Sequence, residues 1–153
     1  MNAAPTRWWP MSRDELVDLL RRASRHSQYA ALRCAVDWLH NRLYLSRTTA
    51  LAARSAIGLA ERENAPELLI GVAVMLVPEG WDGQVSFGKG VKRSVLFSPG
   101  FVEFGDERPV EAEHELPAVA LAIAAVNTPC TEGPLSCICQ PTNGAPSYSI
   151  TSL

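Results

Sequence analysis

Leu116-Pro117-Ala118-Val119-Ala120-Leu121-Ala122-Ile123-Ala124-Ala125-Val126 is the stretch on which the fold turns. It is apolar nearly all round, and a helix without a polar face has to be enclosed on every side. The acidic segment Glu111 to Glu115, just upstream, is expected at the start of that helix, where negative charge suits the dipole. What encloses the helix must come from the rest of the chain.

The leading residues supply helices. Ser12-Arg13-Asp14-Glu15 is a capping box: the Ser12 hydroxyl accepts the Glu15 N–H while the Glu15 carboxylate reaches back. Met11 and Leu16 flank it as a staple. Leu16, Leu19, Leu20 and Ala23 recur at helical spacing, with Arg21, Arg22 and Arg25 near the negative end of the dipole. A second helix is expected from about Gln28 to Leu45, with Leu32, Ala35, Val36, Leu39 and Leu43 as its buried stripe. Ser46 or Thr48 then caps a third, Ala-rich helix from about Thr49 to Glu63.

The middle of the chain is less regular. Leu69 to Val77 is β-branched and apolar, and pattern alone does not decide between a buried strand and a helix. Pro78-Glu79-Gly80 and Asp82-Gly83 mark a turn. Gln84 to Gly88 and Val91 to Ser98 read as strands of a hairpin around Gly88-Lys89-Gly90, and Phe101 to Phe104 as a third strand. Beyond Asn127 the chain turns to Pro, Gly, Ser and Thr without a period, which reads as a mobile tail over 128–153. Residues 1–11 read as an arm ending in Trp8-Trp9-Pro10, with Met11 an alternative start.

Composition narrows the function classes. The 153 residues are 47% hydrophobic and 20% charged, a globular balance. The longest strongly apolar run, Leu68 to Val77, is too short to span a bilayer. No signal peptide is evident, so neither a membrane protein nor secretion is expected. The net charge of −2 conceals an asymmetry. Residues 1–62 carry ten arginines against five acids, +5, and residues 63–153 four bases against eleven acids, −7. Such a split suits a polyanion-facing N-terminal half, docking of the two halves, or head-to-tail association.

Leu76-Val77-Pro78-Glu79-Gly80-Trp81, a short hairpin, and then Leu116 to Val126 resemble the phage ABA sandwich domain. This family comprises small tailed-phage and prophage proteins with a helix, a turn of this kind, a sheet and a Pro-Ala-Leu-rich helix. The likeness covers about residues 66–127, and the Pro-Glu-Gly-Trp turn is its more specific part. It implies a small sheet held between helices, and it moves Pro66 to Val77 towards helix despite Gly71, Val72, Val74 and Val77, all poor helix formers. It implies no activity and no catalytic residues; it does imply a phage or prophage setting in a bacterial cytoplasm.

Residues that could carry chemistry do not form a recognisable constellation. Cys130, Cys137 and Cys139, with His114, resemble a ligand set, but a one-residue gap in a Pro-Gly-rich segment lacks the knuckle of a zinc site. In a reducing compartment these thiols and Cys34 are expected to be free. Gly83 to Gly90 contains Lys89 but not the order of a phosphate loop. The acids Glu103, Asp106, Glu107, Glu111, Glu113 and Glu115 do not follow a calcium loop. They suit a solvated helix entry, or mimicry of a nucleic-acid backbone. No nucleophile elbow or His-Glu-x-x-His pair is present.

The expectation is therefore an α+β fold: three N-terminal helices, a short antiparallel sheet of about three strands packed against helices, a buried C-terminal helix and a mobile tail. Residues 12–127 form one domain, with 12–63 as its helical layer and 66–127 as its sandwich-like part. No catalytic residue, metal or cofactor is expected. The expected role is that of a non-enzymatic phage accessory protein acting by protein contact, with a host protein, a phage protein or a second copy as partner. The alternative is nucleic-acid binding, with the second and third helices as a helix-turn-helix and Arg42, Arg47 and Arg54 towards phosphates. Arg42, Arg47, Arg54 and Trp81 are the candidate contact residues.

Overall fold

The computed structural model describes residues 11–86, 89–98 and 109–128. The arm 1–10, the expected strand Phe101 to Phe104 and the tail from 129 lie outside the described residues. The first helix, α1 (Arg13–Arg21), begins with the expected reciprocal cap: Glu15 N–H donates to Ser12 Oγ at 3.1 Å, and Ser12 N–H to Glu15 Oε1 at 2.8 Å. Its Leu16, Val17 and Leu20 are buried. Ser24 and Ser27 then each donate a backbone N–H to the other's hydroxyl, at 2.7 and 3.2 Å. That exchange closes one helix and opens the next, α2 (Gln28–Asn41). A third helix, α3 (Arg47–Arg62), starts at Ser46, whose Oγ accepts the Thr49 N–H at 3.1 Å.

α2 is shorter than its periodicity predicts, and Leu43 does not join the buried stripe. Leu43 has φ 66°; its N–H donates to His40 O, and the Tyr44 N–H to Leu39 O. This left-handed cap satisfies the last carbonyls of α2 and throws the Leu43 side chain out to 86% exposure. Asn64, at φ 51°, ends α3 by the same device, with the Ala65 N–H on Ala60 O. Asparagine tolerates that conformation, whereas leucine is strained in it.

A short 3-10 turn at Pro66–Leu68 leads into α4 (Leu69–Leu76). The ambiguous apolar run is thus helical, and it buries Leu69, Val72, Ala73 and Leu76 along one face. Three strands follow: β1 (Asp82–Val85), β2 (Lys92–Phe97) and β3 (Val110–His114), in an antiparallel sheet of order β1-β2-β3. Gly83 stands opposite Leu96, and Ser94 opposite both Val85 and Ala112.

β3 corrects an expectation. Glu111 to Glu115 does not open a helix; most of it is a strand. Along β3, Glu111 and Glu113 are exposed while Val110, Ala112 and His114 are partly covered, the period of two that a half-buried strand requires. Arg93 on β2 pairs with Glu111 across the sheet. His114 is correspondingly a tie. Its Nδ1 accepts the Leu116 N–H at 3.0 Å, and its Nε2 contacts Arg21 O at 3.1 Å. A carbonyl only accepts, so the two contacts require the Nε2–H tautomer. The ring joins the end of β3 to the end of α1 and to the start of the last helix.

That last helix, α5 (Pro117–Val126), is enclosed as its composition demands. Every residue from Ala118 to Val126 is buried. α5 packs against α4, β2, β3, α1 and α2. Its alanines let those neighbours approach closely. One continuous core joins it to Leu16, Leu20, Leu32, Leu39, Ile57, Leu69 and Leu96. No helix among the described residues is long and apolar enough to cross a membrane.

Candidate functional site

The sheet meets α4 at the turn Pro78-Glu79-Gly80-Trp81. The Trp81 N–H donates to Pro78 O at 3.1 Å, and Gly80 has φ 88°. This is a type II turn, whose third position needs glycine. It folds Trp81 back towards the end of α4. A cleft of about 270 Å³ results, lined by Val74 and Val77 of α4, Pro78 and Trp81 of the turn, Gly83 and Val85 of β1, and Leu121 of α5. Position 83 requires glycine: a Cβ there would stand 2.7 Å from Cδ2 of the fully buried Leu96 on β2.

The surface leading into the cleft is also apolar. α4 is hydrophobic on all sides, a composition that usually marks a fully buried helix. Yet Leu68 just before it, and Val74 and Met75 on its outward face, are 46%, 57% and 37% exposed. Gly71 on the same face has open space around it. The Trp81 Nε1 is buried without a hydrogen-bond partner among the described residues, so packing alone sets the position of its ring. An unmet donor of this kind is worth about 1–3 kcal/mol. Ser94 Oγ, on the helix-facing side of β2, is unpartnered in the same way. Glu79 and Asp82, on either side of Gly80-Trp81, are exposed and acidic.

The arginines singled out from sequence behave differently. Arg42 lies 4.2 Å from the centroid of the Trp38 ring, and its Nη2 donates to Met11 O at 3.1 Å. Trp38 Nε1 donates to the same carbonyl at 2.8 Å, so this cation–π pair pins the entry to α1. Arg54 donates from Nε (2.8 Å) and Nη2 (2.6 Å) to Asp37 Oδ1. Arg47 is exposed in the first turn of α3. Two of the three arginines are therefore engaged inside the helical layer, and a charge count does not show this. Leu43, between Arg42 and Arg47, is the most exposed large apolar side chain among the described residues.

The buried Cys34 thiol is pushed up to about 11, chiefly by burial and further by the Asp37 carboxylate, and a thiol held protonated is a poor nucleophile and a poor ligand. No three His, Cys, Asp or Glu side chains among the described residues gather as a metal site. Cys130, Cys137 and Cys139 lie outside the described residues.

Of the four candidate contact residues, Trp81 lines a concave apolar site. Sequence reading missed its surroundings, because the run Leu68 to Val77 looks uniformly buried and does not reveal which of its faces stays open. No family model, no curated protein and no solved structure matches this chain.

Proposed function

We propose that this is a non-enzymatic accessory protein that acts by protein–protein contact through the Trp81 cleft. The observation that carries the proposal is the exposed outward face of an otherwise all-apolar helix, Val74 and Met75 with Leu68 beside them, opening onto that cleft. Contiguous apolar surface with a charged rim is characteristic of interaction sites. The phage or prophage setting rests on the Pro-Glu-Gly-Trp turn and the Ala-Leu helix, and places the partner among host or phage proteins of a bacterial cytoplasm. Nucleic-acid binding by the N-terminal helices has less support, because Arg42 and Arg54 are held within the fold.

Capture of partners by the tagged full chain from a bacterial lysate, with and without nuclease, tests this reading. The same protein is expected in both samples, lost with Val74→Glu and retained with Arg47→Ala. Retention that vanishes with nuclease, or with Arg47→Ala alone, would overturn it.

A further inference from the structure

The ladder register adds a feature to the cleft. Ser86 N–H donates to Arg93 O at 2.8 Å, which makes that pair a hydrogen-bonded one and, by alternation, Gln84–Val95 and Asp82–Phe97 as well. Gly83 and Val85 then turn their N–H and C=O groups away from β2, towards the outer edge of the sheet. β1 has no partner on that side among the described residues, and Asp82, Gly83 and Gln84 are exposed. Gly83 and Val85 also line the cleft. The residues with unpaired backbone groups at the edge are thus the residues beside the apolar hollow.

We propose that this edge receives an extended segment of the partner as an added strand, with an apolar side chain seated in the cleft and basic side chains beside it. The proposal rests on the protein-contact reading above and specifies the partner's chemistry. An added strand takes its main-chain bonds from the edge and its selectivity from a pocket for alternate side chains. Here the edge offers Gly83 and Val85, and the hollow between α4, β1 and Leu121 takes the inward side chain. Charge complementarity sets the rest. Glu79 and Asp82 border the turn, and neither the turn nor β1 carries a Lys or Arg. The hairpin's cations, Lys89, Lys92 and Arg93, lie towards its other end. Because no hydrogen bond among the described residues holds the Trp81 indole, its ring can shift as the side chain enters and can bring Nε1 to an acceptor.

The test uses the full chain labelled with nitrogen-15 and the acetylated, amidated peptide Lys-Val-Lys-Val-Lys-Val as probe. Binding is expected to shift the Gly83 and Val85 amides and the Trp81 indole N–H, and to slow hydrogen exchange at Gly83 and Val85 only. N-methylation of alternate peptide bonds removes edge hydrogen bonds and should weaken binding about tenfold. Replacing the probe's Lys residues with Glu should weaken it further against Glu79 and Asp82. Absence of binding at about 2 mM, equal affinity of the N-methylated probe, or shifts centred on α3 would overturn the proposal. So would Gly83 and Val85 amides already protected in the free monomer by the chain's own residues, or in a dimer by a second copy. If these results arise while Val74→Glu still abolishes protein capture, strand addition falls and the contact function stands.

Discussion

Ile123→Ala tests whether α5 is truly enclosed. Ile123 is 2% exposed, and eight neighbours in the same helix are buried with it. The substitution removes the side chain beyond Cβ from a site enclosed by helices and sheet, where little can collapse into the space. Lost transfer energy and residual cavity together come to about 3–4 kcal/mol. A domain of this size has a total stability of about 5–15 kcal/mol, so the variant should lose a large share of it. Urea unfolding followed by far-ultraviolet circular dichroism measures the difference, with Val74→Ala as the exposed apolar control, expected to change stability by about 0.5 kcal/mol or less. On a solvent-facing helix Ile123→Ala would be nearly neutral, because alanine is the better helix former. A cost below about 1 kcal/mol would refute the clamped arrangement.

His114→Ala removes the ring that accepts from Leu116 and meets Arg21 O, and should cost about 1–3 kcal/mol; Glu113→Ala, exposed on the same strand, should stay within about 0.5 kcal/mol. Leu43→Gly relieves the left-handed strain at φ 66° at an exposed corner. It should stabilise by about 0.5–1 kcal/mol after the extra unfolded-state freedom of glycine is subtracted, and denaturant midpoints decide it. In a background with Cys130, Cys137 and Cys139 changed to Ser, native Cys34 should react with iodoacetamide about 100-fold more slowly than in the unfolded chain, because its thiol rises from 9.0 to about 11. The folded state holds that proton more tightly, so this group's contribution is complete below pH 9 and is lost as pH rises through 11. Cys34→Ala should flatten that decline.

Features set by neighbouring residues were legible in the sequence. The Ser12–Glu15 box, the cap at Ser46, the antiparallel pairing of β1 with β2 and the enclosure of α5 were legible, although β1 runs over Asp82–Val85 and so begins inside the expected Asp82-Gly83 turn. β3 was not legible, because Val-Glu-Ala-Glu-His before an apolar helix suits the helix dipole as well as it suits a strand. What decides it is distant: pairing with β2 and the Arg93–Glu111 contact. Leu43 gave no sign of a left-handed cap, a position usually held by glycine or asparagine. The +5 charge of the leading residues overstated the free basic surface, since Asp37 takes Arg54 from a neighbouring helix. Trp81 stood out by itself, but its open helix face became visible only once the buried face, Leu69, Val72, Ala73 and Leu76, was known.

The contact function is tested most directly by placing a photo-reactive amino acid at position 74, on the cleft wall, and separately at position 47, on the basic corner, in the full chain within bacterial cells. Irradiation should give a discrete, nuclease-resistant protein adduct from position 74 and none of that mass from position 47. An adduct formed only from position 47, or one that nuclease dissolves, would contradict the account.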